Sequence, residues 1–164
     1  MCSYSKLYIG ADESMRYWLM KSEPDVYSIE DLRRDRTEIW DGVRNYQARN
    51  FLKEMEPGDL AFFYHSNTKP PGIVGLMKIV ESQVVDPTQF DASNKYYDPK
   101  STPENPRWHT VTVGYEKTFS KMLTLNQLKE TFSPEELLVV RRGNRLSVMP
   151  VEMETAKRIL SLAD

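Results

Sequence analysis

The strand-like and helix-like segments of this chain do not alternate regularly, and this irregular order limits its possible folds most strongly. Short runs rich in aromatic and β-branched residues favour strands. Such runs occur at 17–21, 60–64, 73–80, 108–115 and 146–149. Because helical patterns separate only some of them, the order predicts an α+β fold with helices flanking a mainly antiparallel sheet or barrel of about five or six strands. A parallel nucleotide-binding sheet is not expected.

The clearest helix is predicted from Asn45 to about Met55. Asn45 is a favourable N-cap, and Ala48, Leu52 and Met55 recur at helical spacing after it. Other helices are predicted to begin at Ser28, with Asp31 completing an approximate capping box, at Thr124, at Ser133 before Pro134, and at about Glu152.

The second and third strand-like runs are expected to be antiparallel neighbours, joined by the polar loop 65–72. Residues 86–107 contain four prolines and are predicted to form a long surface loop. In 108–115 the alternation places Val111 and Val113 on the core face and Trp108 on the opposite face.

Residues 1–14 show no periodicity and are expected to form a flexible leader before one domain at 15–164. The chain has 164 residues and a single cysteine, Cys2, so no internal disulfide is possible. No apolar run approaches the roughly 20 residues of a membrane span. A soluble monomer is expected, in the cytoplasm or, in a eukaryote, in the nucleus.

The formal net charge is −2, which argues against binding nucleic acid chiefly by neutralising phosphates. Any such binding must be local. Basic residues do cluster, at 33–36, at 44–49 and at 141–145. Each of these clusters is also compatible with an ordinary solvated surface.

Motifs for cofactor or metal chemistry are absent from the sequence. There is neither a P-loop nor a Gly-x-Gly-x-x-Gly turn, so no nucleotide cofactor is expected. The only histidines, His65 and His109, lie far apart and outside any metal-ligand spacing. Ser22 and Ser66 lack the context of a nucleophile elbow, so no catalytic residue is assigned.

The stretch from Trp40 to Asn50 combines a tryptophan with amide and guanidinium groups. An aromatic face supplies stacking, while Arg44, Asn45 and Gln47 can bind the edge of a planar group such as a base. A buried core tryptophan is the plain alternative. Other polar and aromatic groups also stand at strand ends, namely Lys21 to Glu23, Tyr64 to Asn67, and Arg107 with Trp108.

These segments resemble the EVE domain of the PUA-like superfamily, which is related to YTH and ASCH domains. The resemblance rests on 17–24, 40–52, 57–66 and 97–101 together with Trp108, and it extends from Met15 to Leu162. It implies a PUA-like β-barrel flanked by helices. It also implies binding of a modified base, with modified cytosine a prominent candidate, in DNA or RNA.

The resemblance also implies roles for individual residues. Lys21 and Ser22 look like the Lys-Ser pair that hydrogen-bonds the base in YTH domains, Trp40 like the first tryptophan of the aromatic cage, and Trp108 like a second cage wall. Asn45, Tyr64, His65 and Ser66 complete the expected base site, and Arg44, Arg49 and Arg107 are expected at the nucleic-acid backbone.

The leading hypothesis is a non-enzymatic reader of a modified base. The alternatives are a nuclease or base-processing enzyme, with His65 or Lys21 in acid–base chemistry, and a module that binds a small molecule or a protein through the same pocket.

Overall fold

The computed structural model describes residues 15–163. Within this range, six strands are formed: β1 Tyr17–Ser22, β2 Thr37–Ile39, β3 Leu60–His65, β4 Gly72–Val85, β5 His109–Thr124 and β6 Val148–Val151. The α-helices are α1 Ile29–Asp35, α2 Tyr46–Glu54, α3 Leu125–Thr131 and α4 Met153–Ala163. Two short 3₁₀ helices, Pro87–Phe90 and Leu138–Val140, lie in the connections.

The strands form one mixed sheet in the order β2-β5-β4-β3-β1-β6. β1 runs parallel to β3, and the other pairs are antiparallel, including the predicted pairing of β3 with β4. This architecture confirms the predicted α+β class.

Both faces of the sheet are buried, each by its own core cluster. Successive side chains of a strand point to opposite sides, so one strand contributes to both clusters. Along β1, Tyr17 and Leu19 join one core cluster, packed with α3 and α4. Trp18 and Met20 join the other, packed with α1 and α2. The site described below lies on the side of the second cluster.

The predicted helix caps are confirmed. The side chain of Asn45 accepts a hydrogen bond from the Ala48 amide at the start of α2. Ser28 forms a capping box with Asp31 at α1, and Thr124 forms one at α3. Side-chain oxygens therefore satisfy backbone amides that would otherwise lack an acceptor in the first helical turn.

Several predictions about elements are wrong. The helix expected from Ser133 is a single turn followed by a 3₁₀ helix, although Ser133 and Glu136 exchange the hydrogen bonds of a cap. The edge strand β2 was not predicted because it has only three residues. Trp108 directly precedes β5 and belongs to neither core cluster, but it is buried at 5% exposure and its ring stacks on Tyr46.

The predicted leader, residues 1–14, lies outside the described residues, and the single-domain assignment of 15–164 stays a prediction. None of the helices between residues 15 and 163 is long and apolar enough to cross a membrane.

Candidate functional site

A cavity of about 580 Å³ opens at the carboxyl ends of β1 and β3, beside the segment that leads from β2 into α2. This volume is within the range of small-molecule sites, roughly 300–1,000 Å³. Of the residues predicted for the site, those that line the cavity are Lys21, Ser22, Trp40, Arg44, Asn45 and Ser66.

The parallel pairing of β1 with β3 explains why residues far apart in sequence meet here. Parallel strands end at the same edge of a sheet, and Ser22 is in register with His65. The Ser66 amide donates to the Ser22 carbonyl over 3.0 Å. The Ser22 hydroxyl donates to the Tyr27 carbonyl over 2.6 Å and keeps its acceptor capacity.

Trp40 forms an apolar wall of the cavity and is only 7% exposed. Its ring packs edge-on against Phe63, with ring centres 5.4 Å apart. Its backbone is held from both sides, because its amide donates to Val111 and its carbonyl accepts from the Thr110 hydroxyl. Trp40 is therefore both a core residue and a cavity wall.

Acidic side chains also line the cavity. They include Glu38 and Asp41. Burial raises the pKa of Asp41, repulsion from Asp86 and Glu38 adds to this effect, and Arg44 opposes it. A carboxylate in this position is a strong acceptor for an amino group.

Arg44 lines the cavity but has no hydrogen atom left for a phosphate. Its Nε and Nη2 donate to the Tyr96 carbonyl over 3.0 and 2.8 Å. Its remaining N–H groups donate to the Val43 carbonyl, Asp86 Oδ2 and Thr88 Oγ1. Because a guanidinium has five N–H donors, all are engaged. Arg44 therefore has a structural role in this fold, and its expected contact with the nucleic-acid backbone stays a prediction.

Asp86 is the centre of this arrangement and is 1% exposed. Besides Arg44, it accepts from the Gly42 amide at 2.9 Å and from the amide and hydroxyl of Thr88 at 2.8 and 2.6 Å. Gly42 itself has φ +83°, and the Tyr96 ring occupies the place where a Cβ would stand. The long loop is therefore fastened directly to the cavity wall.

Trp108 does not line the cavity. Its ring stacks on Tyr46 at 5.0 Å, and its Nε1 donates to Asp98 over 2.7 Å. Arg49 and Arg107 belong to the same cluster, with Arg49 donating to the Arg107 carbonyl and Arg107 to the Tyr46 hydroxyl. Trp108, Arg49 and Arg107 thus belong to an aromatic and basic cluster outside the cavity lining, which meets the cavity at Arg44, 5.0 Å from the centre of the Trp108 ring. Their expected roles at the base and at the nucleic-acid backbone stay predictions.

Tyr64 and His65 also lie outside the cavity lining. Tyr64 is a core residue, and the Lys21 ammonium lies 5.8 Å from the centre of its ring. His65 Nε2 accepts a hydrogen bond from the Ile29 amide at the start of α1. This ring nitrogen is therefore already engaged and is not available for the acid–base role considered for His65.

A family model described as the EVE domain matches residues 16–162. The chain belongs to the EVE domain family. The predicted family is thereby confirmed. The six-stranded α+β architecture described above is the PUA-like fold that its structural relatives share.

Proteins similar to this EVE domain include mouse thymocyte nuclear protein 1. The two are 44% identical over 173 residues, which is 94% of this chain and 76% of the relative. A solved structure of human THYN1 protein in complex with 5-methylcytosine-containing DNA is also 44% identical. It has a TM-score of 0.84 and covers 91% of this chain and 98% of that one.

The Mmi1 YTH domain, solved in complex with RNA, resembles this EVE domain at 12% identity and a TM-score of 0.50. The alignment covers 91% of this chain and 77% of that one. At this level of identity the likeness concerns the fold alone.

Sequence reasoning missed several residues that line the cavity of this EVE domain. They are Tyr27, Glu38, Asp41, Lys95, Tyr96, Arg145 and Ser147, among others. Of these residues, Asp41 could have been predicted for the site, because it directly follows Trp40 in the sequence. Lys95 and Tyr96 come from the long loop, and no local pattern indicates which part of such a loop returns to the site.

The two histidines of this EVE domain should make its stability depend on pH. Burial lowers the pKa of His65 and of His109, and the charges of Lys53 and Arg49 lower that of His109 further. The folded state then binds fewer protons than the unfolded state, so the free energy of unfolding should fall as the pH drops below 6.5.

Urea unfolding at pH 7.5 and 5.5 measures this dependence. The His65→Gln/His109→Gln variant should lose most of it, because a glutamine oxygen at position 65 can still accept from the Ile29 amide without titrating. Equal stability of the wild-type protein at the two pH values would contradict the assignment.

Proposed function

We propose that this EVE domain is a non-catalytic reader of modified cytosine in DNA. The supporting observation is a cavity that joins the Trp40 wall to carboxylate and amide groups. It occurs in a chain 44% identical to a protein solved with 5-methylcytosine-containing DNA. The base leaves the helical stack and enters the cavity, as in other proteins that act on single bases.

Stacking on Trp40 supplies the first part of the binding energy. Leaving the base stack costs a few kcal/mol. Stacking on an aromatic side chain returns about 1–3 kcal/mol. Tyr27 and Tyr96 are the other aromatic residues that line the cavity. We assign to these two residues the second side of an inserted base.

The polar groups of the cavity match the edge of cytosine. Aspartate accepts from the exocyclic amino group of this base, and we assign this role to Asp41 because it lines the cavity. Asn45 uses its carbonyl oxygen to cap α2. Its amino group therefore stays available to donate to the ring nitrogen or carbonyl of the base.

The methyl group contributes less than the base itself. Burying one methyl is worth about 0.8 kcal/mol, which corresponds to roughly fourfold in affinity. The reader should therefore bind methylated DNA in preference to unmodified DNA, but by a modest factor. RNA with the same modification tests whether the sugar matters.

The proposal predicts a different effect for loss of Asp41. The Asp41→Ala variant should bind methylated and unmodified oligonucleotides about 10- to 150-fold more weakly, because one charge-assisted hydrogen bond is worth about 1.5–3 kcal/mol. The roughly fourfold methyl preference should persist.

Fluorescence anisotropy with matched oligonucleotides measures both effects. Glu116→Ala is the matched control, because Glu116 is exposed and lies outside the cavity while the change in charge is the same. Equal affinity of the wild-type protein for methylated and unmodified DNA, or binding by Asp41→Ala as tight as that of the wild-type protein, would contradict the proposal.

A further inference from the structure

The arginines of this EVE domain differ in whether they have a partner. Among the described residues, Arg141, Arg142 and Arg145 have no ion pair, side-chain hydrogen bond or aromatic ring contact. The other arginines are engaged, as follows: Arg16, Arg33, Arg34, Arg36, Arg44, Arg49, Arg107 and Arg158. All three unengaged guanidinium groups therefore lie within five residues of one another.

These arginines stand on an ordered loop at the edge of the cavity. The loop turns at Gly143, where φ is +78°. Asn144 fixes it, donating to the Leu138 carbonyl over 2.7 Å and accepting from the Leu146 amide over 2.9 Å. Arg145 lines the cavity, whereas Arg141 and Arg142 are exposed beside it.

Charges of both signs line the cavity: the carboxylates of Glu23, Glu38 and Asp41, and the cations of Lys21, Arg44, Lys95 and Arg145. The carboxylates disfavour a phosphate inside the cavity, whereas Arg141 and Arg142 are exposed outside it. Exposed guanidinium groups without a carboxylate partner bind phosphate without first breaking an ion pair, and their planar fork matches phosphate oxygens. Because the whole chain has a net charge of −2, binding a nucleic-acid backbone needs such a local surface.

We propose that the loop Arg141–Arg145 binds the phosphodiester backbone next to the base held in the cavity. This inference rests on the proposed function and assigns the backbone contact to a part of the chain other than Arg44, Arg49 and Arg107. The loop positions the strand, and the cavity selects the base.

The test is the salt dependence of DNA binding by Arg141→Gln/Arg142→Gln. Each phosphate contact contributes about 0.9 to the slope of log affinity against log salt for duplex DNA, and about 0.7 for single strands. The double variant should lower the magnitude of this slope by roughly 1.4–1.8. It should weaken binding of methylated and unmodified DNA by the same factor.

Arg33→Gln/Arg34→Gln is the matched control, because it removes the same charge from arginines paired with acidic residues of α1. This control should keep the wild-type slope. Wild-type binding with an unchanged slope in the Arg141/Arg142 variant would overturn the loop assignment alone. Selective loss of methylated DNA binding would also overturn it, whereas absence of DNA binding by the wild-type protein would overturn both proposals.

Discussion

Replacing Asp86 with alanine should destabilise this EVE domain by about 3–5 kcal/mol and should also weaken its binding of DNA. Removing one partner of a buried pair costs this much, because the other charge remains without compensation. The Arg44 side chain is 21% exposed and would lose its carboxylate. The amides of Gly42 and Thr88 would lose an acceptor as well.

The pH dependence separates this effect from simple loss of packing. Burial by itself raises the pKa of Asp86, but hydrogen bonds from Thr88, Gly42 and Arg44 outweigh it and leave the pKa below its ordinary value. The contribution of Asp86 is therefore complete above pH 3.8 and is lost as the pH falls through the lowered pKa.

Urea unfolding of wild-type and Asp86→Ala protein from pH 7 to pH 3 measures the loss of stability and its dependence on pH. The difference between the two should be largest near neutrality and should shrink in acid. Asp91→Ala is the control from the same loop, since Asp91 only supports an exposed turn with Ser93. A difference in stability that does not change with pH would contradict the role given to the charge.

Replacing Trp40 with leucine should lower the affinity for methylated DNA roughly 5- to 150-fold, the equivalent of one stacked base at about 1–3 kcal/mol. The ring that supports the base would be absent, although an apolar side chain would remain against Phe63. Some loss of stability is expected too, because Trp40 is buried in the core.

Trp108→Leu is the matched control. Trp108 is buried to a similar degree, but it lies outside the cavity and stacks on Tyr46. Both variants should unfold at lower denaturant concentrations, and only Trp40→Leu should lose affinity when both are measured fully folded. Equal losses of affinity in the two variants would place the base elsewhere.

The sequence allowed most helix starts, and the ends of β1 and β3, to be predicted because these depend on local chemistry, whereas β4 and β5 continue past their predicted ends to Val85 and Thr124. The Asn45 cap needs only its own helix, and Pro57-Gly58 ends that helix before β3. A shared site for Ser22 and Ser66 could be expected, because each residue follows the end of a predicted strand. The parallel pairing that brings them together appears only in the structure.

The roles of Trp108 and Arg44 could not be predicted because they depend on the course of the long loop. That loop returns Tyr96 to Gly42 and Asp98 to Trp108. A guanidinium in a polar stretch looks the same in sequence whether it faces a phosphate or acceptor atoms of the protein itself. The loop Arg141–Arg145 shows the reverse case, since a plain charge cluster proves to be the set of arginines without partners in the described chain.

The most direct test of base binding against Trp40 is an NMR titration of DNA that carries a ¹³C-labelled methyl group on 5-methylcytosine. A methyl group beside the Trp40 ring should shift on binding and should show nuclear Overhauser contacts to the protons of that ring. The shift should be absent with Trp40→Leu. A methyl resonance that keeps its free position when the protein is saturated, or contacts to Trp108 and Tyr46 instead, would contradict the account.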